Sequence, residues 1–433
     1  MDDRATRRLL LASAVGSLVE WYDFFVFAAC AALVFDRAFF PNYARSTAVL
    51  LSLMTYGIGF VCRPVGGWVF GRIGDRYGRK RALVASLFVM GGATCAIGLV
   101  PDFATIGIAA PVALVMLRLV QGLAVGGEVG GALLLVAESL PSRRRGYWTA
   151  WPQIGGPAGN VMSAAVLVLL TTGLSDANFV RWGWRIAFLA SAVLVAVGLW
   201  VRLQVEESPL YQRLAAARST TVGPSPETPL STRAVVARYR RSIATVLLIK
   251  AGENAVFYVL TTFFVYYMSR VLDRSRQAAL TATLVASLVD VAAIFAAGAL
   301  SDRIGRRPVM AAGLLGAAGW TFALFPLAAA GSPATAMIAA ATGGLLHGMI
   351  VGGMSAFFVE LFPTPVRYTG FSLSYQIGSV VSGSVAPVIG VALLRTFGST
   401  VPVSMYALAM ALPALACVVL HRETAGVNLE TLQ

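Results

Sequence analysis

Residues 71 to 81 read Gly-Arg-Ile-Gly-Asp-Arg-Tyr-Gly-Arg-Lys-Arg and form a cationic turn between two apolar runs. A related stretch, Gly-Ala-Leu-Ser-Asp-Arg-Ile-Gly-Arg-Arg, occupies residues 298 to 307. Asp75 and Asp302 hold the same place in the two stretches and lie 302 − 75 = 227 positions apart, about half the chain. Either stretch alone is equally well explained as a solvated basic turn. Their shared Gly, Asp, Arg and Gly-Arg positions predict two similar units joined in tandem.

The composition is typical of a membrane protein. Of the 433 residues, 58% are hydrophobic and only 12% are charged, and the mean hydropathy is +0.75, outside the range of soluble domains. The net charge is +14, but the basic residues lie in short clusters between apolar runs, where they orient helices across a membrane. We therefore expect no nucleic-acid partner. The four cysteines lie within apolar runs without metal-ligand spacing, so neither a metal nor a disulfide is expected.

Twelve apolar runs are long enough to cross about 30 Å of hydrocarbon. We predict membrane helices near residues 10–35, 46–71, 80–100, 108–139, 146–172, 182–203, 241–269, 277–300, 308–330, 334–361, 366–396 and 400–421. The first run continues into Glu20 and Asp23 instead of a small-residue cleavage site, so it is expected to be a retained helix. With the N-terminus in the cytoplasm, about two thirds of the Lys and Arg residues lie on the cytoplasmic side, which predicts that both termini lie there.

The predicted fold is an all-α membrane protein of two pseudo-symmetric six-helix bundles. The bundles are residues 1–204 and 241–421, joined by a cytoplasmic linker, 205–240, and followed by a cytoplasmic tail, 422–433. Glycines recur every fourth residue in predicted helix 4 and, 222 positions later, in helix 10: Gly122, Gly126 and Gly130 against Gly344, Gly348 and Gly352. This spacing permits close helix packing. Parallel repeats of six helices are typical of transporters with a central site between the halves.

The motif at residues 71 to 80 resembles the signature that follows helix 2 in the major facilitator superfamily, Gly-x-x-x-Asp-Arg-x-Gly-Arg-Arg. More narrowly, the chain resembles the metabolite:proton symporter family, which includes carriers of shikimate, 2-oxoglutarate, citrate and proline or betaine. The matching stretches are Glu-Trp-Tyr-Asp-Phe-Phe at 20–25, Arg-Pro-Val-Gly-Gly at 63–67, Gln-Gly-Leu-Ala-Val-Gly-Gly-Glu-Val-Gly-Gly at 121–131 and Trp-Gly-Trp-Arg-Ile at 182–186. Phe27-Ala28 replaces the family's usual Tyr-Gly, while Phe-Phe-Pro at 39–41 resembles the shikimate branch.

Eight charged side chains fall in the inner part of predicted spans, where an ionised group near a helix centre costs about 2.5 to 3.5 kcal/mol on insertion scales. They are Glu20, Asp23, Arg63, Arg118, Glu128, Lys250, Glu253 and Asp290. Five acids and three bases leave a charge of −2 if all are ionised, so we expect one or two carboxylates to take up protons or face water. Spacings of three and four residues place these groups on single faces of helices 1, 4 and 7. Three polar faces that avoid lipid predict a shared cavity.

We predict that three acids take part in proton coupling: Asp23, Glu128 and Glu20. A fixed ion pair with Arg63, itself expected to be structural, is the alternative for Asp23 and Glu128. The predicted substrate-binding residues are Arg118, Gln121, Tyr22, Lys250, Glu253, Asn254, Tyr258, Gln153, Tyr375 and Gln376. Arg118 either binds a substrate carboxylate or forms a permanent pair with Glu128 or Asp23. Lys250 and Glu253 either contact substrate or neutralise each other.

A further set of charged residues near the cytoplasmic ends of the helices is predicted to be structural or to gate the inner side. It comprises Asp75, Arg76, Arg79, Glu138, Arg143, Asp302, Arg303, Arg306 and Glu360. His347 lies among the helix 10 glycines, where an interhelical hydrogen bond is expected. Asp290 has no partner within its own helix.

These features predict a proton-coupled symporter that imports a small organic anion by alternating access, in the bacterial inner membrane. The proton is the coupling ion, no cofactor or metal is expected, and a single chain in lipid is expected to suffice. A zwitterion carrier for proline or betaine, with cation–π contacts from Trp21, Tyr22 or Tyr258, and a drug-effluxing antiporter remain alternatives. The chain lacks the phosphate-loop, zinc-hydrolase and nucleophile-elbow motifs of enzymes, so an enzyme is not predicted.

Overall fold

The computed structural model describes residues 3–220, 232–383 and 385–430, and this part of the chain is helical, without strands. Residues 221–231 of the predicted linker and 431–433 of the predicted tail lie outside it. In the first half of the chain the α-helices are α1 (Asp3–Leu33), α2 (Phe35–Phe39), α3 (Arg45–Val61), α4 (Arg63–Tyr77), α5 (Arg79–Leu99), α6 (Phe103–Ile106), α7 (Ala109–Ser139), α8 (Arg145–Gln153), α9 (Gly155–Gly173), α10 (Asp176–Asn178), α11 (Trp184–Leu203) and α12 (Pro209–Thr220).

The second half continues with long helices and two π-helical segments. The α-helices are α13 (Thr232–Arg238), α14 (Arg240–Tyr258), α15 (Phe264–Tyr266), α16 (Arg276–Ile304), α17 (Arg306–Ala330), α18 (Pro333–Val359), α19 (Arg367–Gly383), α20 (Ala386–Phe397) and α21 (Val401–Leu420). The π-helical segments Val259–Phe263 and Tyr267–Val271 extend α14, so that residues 240–271 form one long apolar stretch.

Eleven helical stretches in the described residues are long and apolar enough to cross a membrane. The predicted span 46–71 is not one of them, because it is divided at Cys62 into α3 and α4. Pro64 lies in the first turn of α4, where a residue without an N–H is tolerated because that donor has no partner in the helix. The prediction of one continuous helix is therefore wrong at this place.

Two compact units make up the chain. The first unit comprises Met1–Val136 and Ile154–Ser225, and the second unit comprises Ala137–Gln153 and Pro226–Gln433. Helix α7 thus runs from the first unit into the second, and α8 packs with α16 and α18 of the second. The sequence division into residues 1–204 and 241–421 assigns this segment, 137–153, to the first bundle instead.

An aromatic cluster forms the core at one end of the first unit. Phe27, Phe35 and Phe188 are fully buried there, and their rings meet Trp184 and one another mostly edge to face at centroid distances of 5.2 to 6.2 Å. Such arrangements add about 0.5 to 1.5 kcal/mol per pair to the effect of burial. The cluster fixes α1 against α11.

The duplicated glycines permit the same close helix contact in each unit. A Cβ at Gly122 would collide with the carbonyl oxygen of Gly59, so α7 lies directly on α3. In the second unit a Cβ at Gly344 would collide with the carbonyl oxygen of Ala286, so α18 lies directly on α16. The close approach that the glycine spacing predicts is confirmed.

The two copies of the cationic motif also adopt the same backbone. Gly78 and Gly305 have φ values of 110° and 102°, a conformation that favours glycine. Each glycine is followed by the first residue of a helix, Arg79 of α5 or Arg306 of α17, whose backbone N–H donates to a glutamate, Glu207 or Glu423. The duplication seen in the sequence is therefore a duplication of local structure.

Candidate functional site

Asp23 is a buried carboxylate that accepts hydrogen bonds from two hydroxyl groups. Its exposed fraction is 1%, and it accepts hydrogen bonds from Thr94 Oγ1 at 2.7 Å and Ser191 Oγ at 2.5 Å. Among the described residues, no lysine, arginine or histidine nitrogen forms an ion pair with it. A buried acid without a cation is a group that can accept a proton.

Arg118, on α7, is a buried cation that forms no direct ion pair with an acid of the described residues. Its exposed fraction is 3%, and its guanidinium carbon lies 4.2 Å from the centre of the Phe27 ring. Nη1 donates to Gln121 Oε1 at 2.5 Å, while Nε and Nη2 have no hydrogen-bond partner in the part of the chain described. The predicted alternative, a permanent ion pair with Glu128 or Asp23, is not present.

A chain of hydrogen bonds connects these two opposite charges. Gln121 accepts from Arg118 and donates through Nε2 to Thr94 Oγ1 at 2.8 Å, and Thr94 donates to Asp23. Thr94 was not predicted as a site residue, because a lone threonine in an apolar run gives no sequence signal. The structure thus connects the predicted anion-binding residue to the predicted proton carrier through two uncharged side chains.

Glu128 has a cation of its own. It forms a bidentate ion pair with Arg202 of α11 and accepts a hydrogen bond from Ser86 Oγ at 3.1 Å. Arg202 stands at the end of a predicted span, where a charge needs no partner, so the sequence analysis did not include it. A pair of this kind favours a fixed structural charge over a mobile proton.

The other predicted residues of the first unit have different surroundings. Glu20 is buried, and its Oε2 has no hydrogen-bond partner in the described residues. Arg63 stacks on Phe60, with its guanidinium carbon 4.1 Å from the ring centre, in keeping with a structural role. Tyr22 is fully buried and donates its hydroxyl to the carbonyl oxygen of Ala187 at 2.9 Å, a contact between helices.

In the second unit, four ionisable side chains form one continuous cluster. Lys250 Nζ lies 2.5 Å from Glu253 Oε2, and Glu253 Oε1 lies 3.0 Å from His347 Nε2. His347 Nδ1 lies 3.0 Å from Asp290 Oδ2. The interhelical hydrogen bond expected for His347 is present on both sides of its ring. Lys250 also lies over the ring of Tyr375, 4.6 Å from its centre.

The remaining predicted binding residues lie in the second unit and are mainly in contact with neighbouring helices. Asn254 Nδ2 donates to the carbonyl oxygen of Ser379 at 3.5 Å, and Gln153 Nε2 donates to Ser355 Oγ at 2.8 Å. Tyr258 and Gln376 are buried. Lys250, Glu253 and Tyr375 are the predicted binding residues that the structure shows in direct contact in this unit.

The chain is similar to known proteins both in sequence and in structure. A family model described as "Sugar (and other) transporter" matches residues 9–433. The chain belongs to the sugar (and other) transporter family. Among its relatives in Escherichia coli K12, the inner membrane metabolite transport protein YhjE is 38% identical over 96% of this chain and 94% of its own. The shikimate transporter is 36% identical over 93% and 91%, and the proline/betaine transporter is 32% identical over 98% and 85%.

The fold agrees with this assignment. The proton:xylose symporter XylE, with 6-bromo-6-deoxy-D-glucose bound, superimposes with a TM-score of 0.81 over 99% of this chain and 98% of its own, at 16% identity. The protein is therefore a multi-pass transporter of the major facilitator superfamily in the bacterial inner membrane. Because the members of the family are transporters, the protein is not an enzyme.

The predicted gating residues of this transporter divide into paired and exposed groups. In the first unit, Asp75 and Arg79 form a buried pair at 3.4 Å. In the second unit, Asp302 pairs with Arg306 at 2.6 Å. Glu138 and Glu360 lie in this unit too, and their partners are Arg367 at 2.8 Å and Arg145 at 2.7 Å.

The two arginines Arg143 and Arg145 of this cluster have different surroundings. Arg143 is exposed, and the buried arginine of the same cluster that pairs with an acid is Arg145. Arg143 lies in a 3-10 turn that precedes α8, whereas Arg145 begins the helix and faces the interior. Arg76 and Arg303, which follow the motif aspartates, are also exposed.

Proposed function

We propose that this transporter is a proton-coupled symporter that imports a small organic anion by alternating access, with twelve membrane helices and both termini in the cytoplasm. The observation that carries the proposal is the unpaired guanidinium of Arg118. A buried cation without a counter-charge is costly. A carboxylate of the substrate would supply the missing charge and accept hydrogen bonds from Nε and Nη2, which have no partner in the described residues.

Asp23 is the proposed proton carrier. An Asp23 carboxylate repels an anion bound at Arg118, and a proton on Asp23 removes that repulsion. The two binding events therefore favour each other, and Gln121 and Thr94 connect their sites. One proton moving inward gains about 2.3 kcal/mol per 100 mV of membrane potential, which offsets the equal cost of moving one negative charge inward. The pH gradient can then drive accumulation of a monovalent anion.

An anion is favoured over a zwitterion as the substrate. The relatives include a shikimate transporter and a proline/betaine transporter, and a carboxylate is common to these substrates. A betaine also needs aromatic rings for its cationic end. The rings nearest to Arg118 already lie against protein cations, since Phe24 is within 6 Å of both Arg63 and Arg118 and Phe27 contacts Arg118.

Transport by purified protein in proteoliposomes tests this function. Uptake of labelled shikimate, 2-oxoglutarate, citrate and betaine would be compared with and without an inward proton gradient. We expect gradient-driven accumulation of at least one of the three acids. Accumulation that does not depend on the proton gradient, or efflux without uptake, would contradict the symport mechanism.

The Asp23→Asn variant tests the coupling step. Asparagine can still bond with Thr94 and Ser191 but cannot carry the proton. We expect gradient-driven uptake to fall by about tenfold or more, as for removal of a group that transfers protons, while exchange of labelled for unlabelled anion continues. Glu128→Gln, which breaks the pair with Arg202, is the comparison. If this variant loses only the gradient-driven step and Asp23→Asn does not, the coupling role belongs to Glu128.

A further inference from the structure

The ionisable cluster of the second unit has no part in the mechanism proposed above. Glu253, Asp290 and His347 each stand near the middle of a stretch long enough to span a membrane, namely 240–271, 278–304 and 333–359. Their exposed fractions are 3%, 5% and 7%. A charged group at that depth is expensive and usually has a functional reason.

The geometry of the imidazole fixes the number of protons in the cluster. Each ring nitrogen of His347 lies 3.0 Å from a carboxylate oxygen, of Glu253 on one side and Asp290 on the other. An ionised carboxylate can only accept hydrogen bonds, and a neutral imidazole has one donor and one acceptor. With a neutral ring and two ionised acids, one nitrogen lone pair would face an oxygen lone pair. The cluster must therefore hold one additional proton, on the ring or on one of the carboxyl groups.

The sum of the charges also favours a cluster that holds this additional proton. Lys250, Glu253, Asp290 and a doubly protonated His347 add up to zero, whereas loss of the proton leaves −1. The other groups that line the cluster carry no charge that could replace it, since Phe257 packs on the imidazole and Tyr375 lies under Lys250. Among the described residues, no further lysine, arginine or acid pairs with these four. A net charge in the middle of the hydrocarbon costs more than a neutral cluster.

We propose that Glu253, His347 and Asp290 form a second proton-binding site of the transporter, in addition to Asp23. Lys250 is the group through which a bound anion acts on it, a step that rests on the proposed import of an organic anion. An anion that pairs with Lys250 withdraws the ammonium from Glu253. Glu253 then depends on His347 alone for positive charge, so the site holds its proton more tightly. By linkage, the proton strengthens anion binding to the same extent.

Close helix packing gives the site its geometry. His347 stands between Gly344 and Gly348 on α18, and both glycines lie against α16, where Asp290 is placed. Side chains at these two glycines would move α18 away from α16 and lengthen the bond between His347 and Asp290. The glycine repeat thus has a specific role in the second unit.

Nitrogen NMR tests the site without any transport measurement. The chain has only two histidines, so protein labelled with 15N-histidine and carrying His421→Asn reports on His347 alone. We expect the signal of a ring protonated at both nitrogens, or of a ring sharing its proton with a carboxyl group, at pH 7 in lipid nanodiscs. Asp290→Asn should convert it to a neutral tautomer, and Asp23→Asn should leave it unchanged. A neutral imidazole in the protein, together with 13C signals that show ionised carboxylates at both Glu253 and Asp290, would overturn the site.

Counting the protons transported tests the coupling. The number of protons per anion would be measured from the pH difference at which net flux stops, at a fixed anion gradient and zero membrane potential, with labelled shikimate as the first probe. We expect His347→Gln to lower the number by one, and Asp290→Asn serves if His347→Gln does not fold. An unchanged number in a protein whose uptake follows the proton gradient would refute the second site but leave the proposed function intact. If no gradient drives uptake, the proposed function fails, while the NMR result still decides the site.

Discussion

Arg118 offers a planar cation that stacks on Phe27 and keeps two N–H groups for a ligand. We expect Arg118→Gln to lower anion uptake about tenfold to a hundredfold, because a hydrogen bond to a charged group contributes roughly 1.5 to 3 kcal/mol. Arg118→Lys should retain part of the uptake, since the positive charge remains but the planar guanidinium, with its paired N–H donors and its stacking on Phe27, is lost. Initial rates in proteoliposomes, normalised to folded protein, measure both effects.

Arg185 provides the matched control for this experiment. It is also an arginine of the first unit, and its Nη1 donates to the carbonyl oxygens of Gly98 and Val100, so its bonds are internal to the protein. Arg185→Gln should lower the thermal stability and leave the uptake rate of the folded protein close to that of the unchanged chain. Equal losses of uptake in the two glutamine variants would contradict anion binding by Arg118.

At this scale the sequence identified the charges but not their partners. Arg118 and Asp23 could be recognised because charged residues in an apolar run are rare. Which acid each arginine faces depends on how α1, α5, α7 and α11 rotate against one another, and periodicity within one helix does not contain that information. Thr94 and Ser191, the hydroxyl groups on Asp23, lie on two such neighbouring helices.

At the scale of helices, alanine substitutions at two glycines distinguish the effect of helix packing on stability from the effect of helix propensity. Gly344→Ala places a methyl group against the carbonyl oxygen of Ala286, and overpacking of this kind costs about 1 to 3 kcal/mol. Gly319→Ala, on α17, meets no atom within 4 Å, so the higher helix propensity of alanine should stabilise the protein by up to about 1 kcal/mol. Thermal unfolding in detergent should therefore give shifts of opposite sign. Two shifts of equal sign and size would show that the contact between α16 and α18 is loose.

Glu423, which follows α21 in the chain, caps the N-terminus of α17. Burial by itself raises the pKa of its carboxyl group, but the backbone N–H groups of Ala425, Arg306, Arg307 and Thr424 stabilise the carboxylate. The resulting pKa lies below the ordinary value of 4.5. Because the folded state binds this proton less readily than the unfolded state, the stabilisation is complete above that value and is lost as the pH falls through the lowered pKa.

We therefore expect Glu423→Gln to lower the free energy of unfolding by about 1 kcal/mol at pH 7, the usual contribution of a helix cap. The difference between the variant and the unchanged protein should stay constant down to about pH 5 and shrink in more acidic solution. Thermal unfolding at a series of pH values measures it. Glu207→Gln removes the corresponding cap from α5 and should have an effect of similar size at pH 7. A penalty for Glu423→Gln that grows below pH 4.5 would contradict the lowered pKa.

The sequence predicted the long helices well and their interruptions poorly. Apolar runs mark what can lie in hydrocarbon, so the spans near residues 80–100, 308–330 and 400–421 agree with α5, α17 and α21 to within a few residues. The breaks at Cys62 and Ile154 lie inside apolar runs, and composition does not change there. Pro64 was visible in the sequence, but proline occurs within membrane helices as well, as Pro326 and Pro413 do here.

For the whole molecule, two cations that the sequence count left out, Arg202 and a protonated His347, change the charge balance. The eight charged side chains counted in the predicted spans sum to −2 if all are ionised. Arg202, which pairs with Glu128 in the first unit, reduces this to −1, and the additional proton that we infer at His347 in the second unit brings it to 0. The excess of acid therefore does not require several mobile protons. It leaves Asp23 and Glu20 in the first unit without a direct ion pair in the described residues.

Segment 137–153 is the part of the chain where gating can be tested. It belongs to the second unit, where buried pairs join Glu138 to Arg367 and Arg145 to Glu360. The chain continues into the first unit on both sides of the segment, so the rearrangement that we propose for transport would strain these contacts. Removing one partner of a buried ion pair costs about 3 to 5 kcal/mol, so Arg145→Gln should release the segment more often, although Arg306 and Thr424 still contact Glu360.

Access to Ser355 measures this release. Ser355 is buried under Gln153 of the segment, so a Ser355→Cys probe in a chain without its four native cysteines should react slowly with a maleimide. We expect Arg145→Gln to raise the labelling rate by at least about tenfold. A tenfold change corresponds to about 1.4 kcal/mol, which is less than the roughly 3 kcal/mol or more expected for breaking the buried ion pair. Arg143→Gln removes an exposed arginine two residues away and should leave the rate unchanged, since exposed charges contribute little. If the two variants label at the same rate, the pair between Arg145 and Glu360 does not hold the segment. A rate raised equally in both would support the gating role predicted for Arg143 from the sequence.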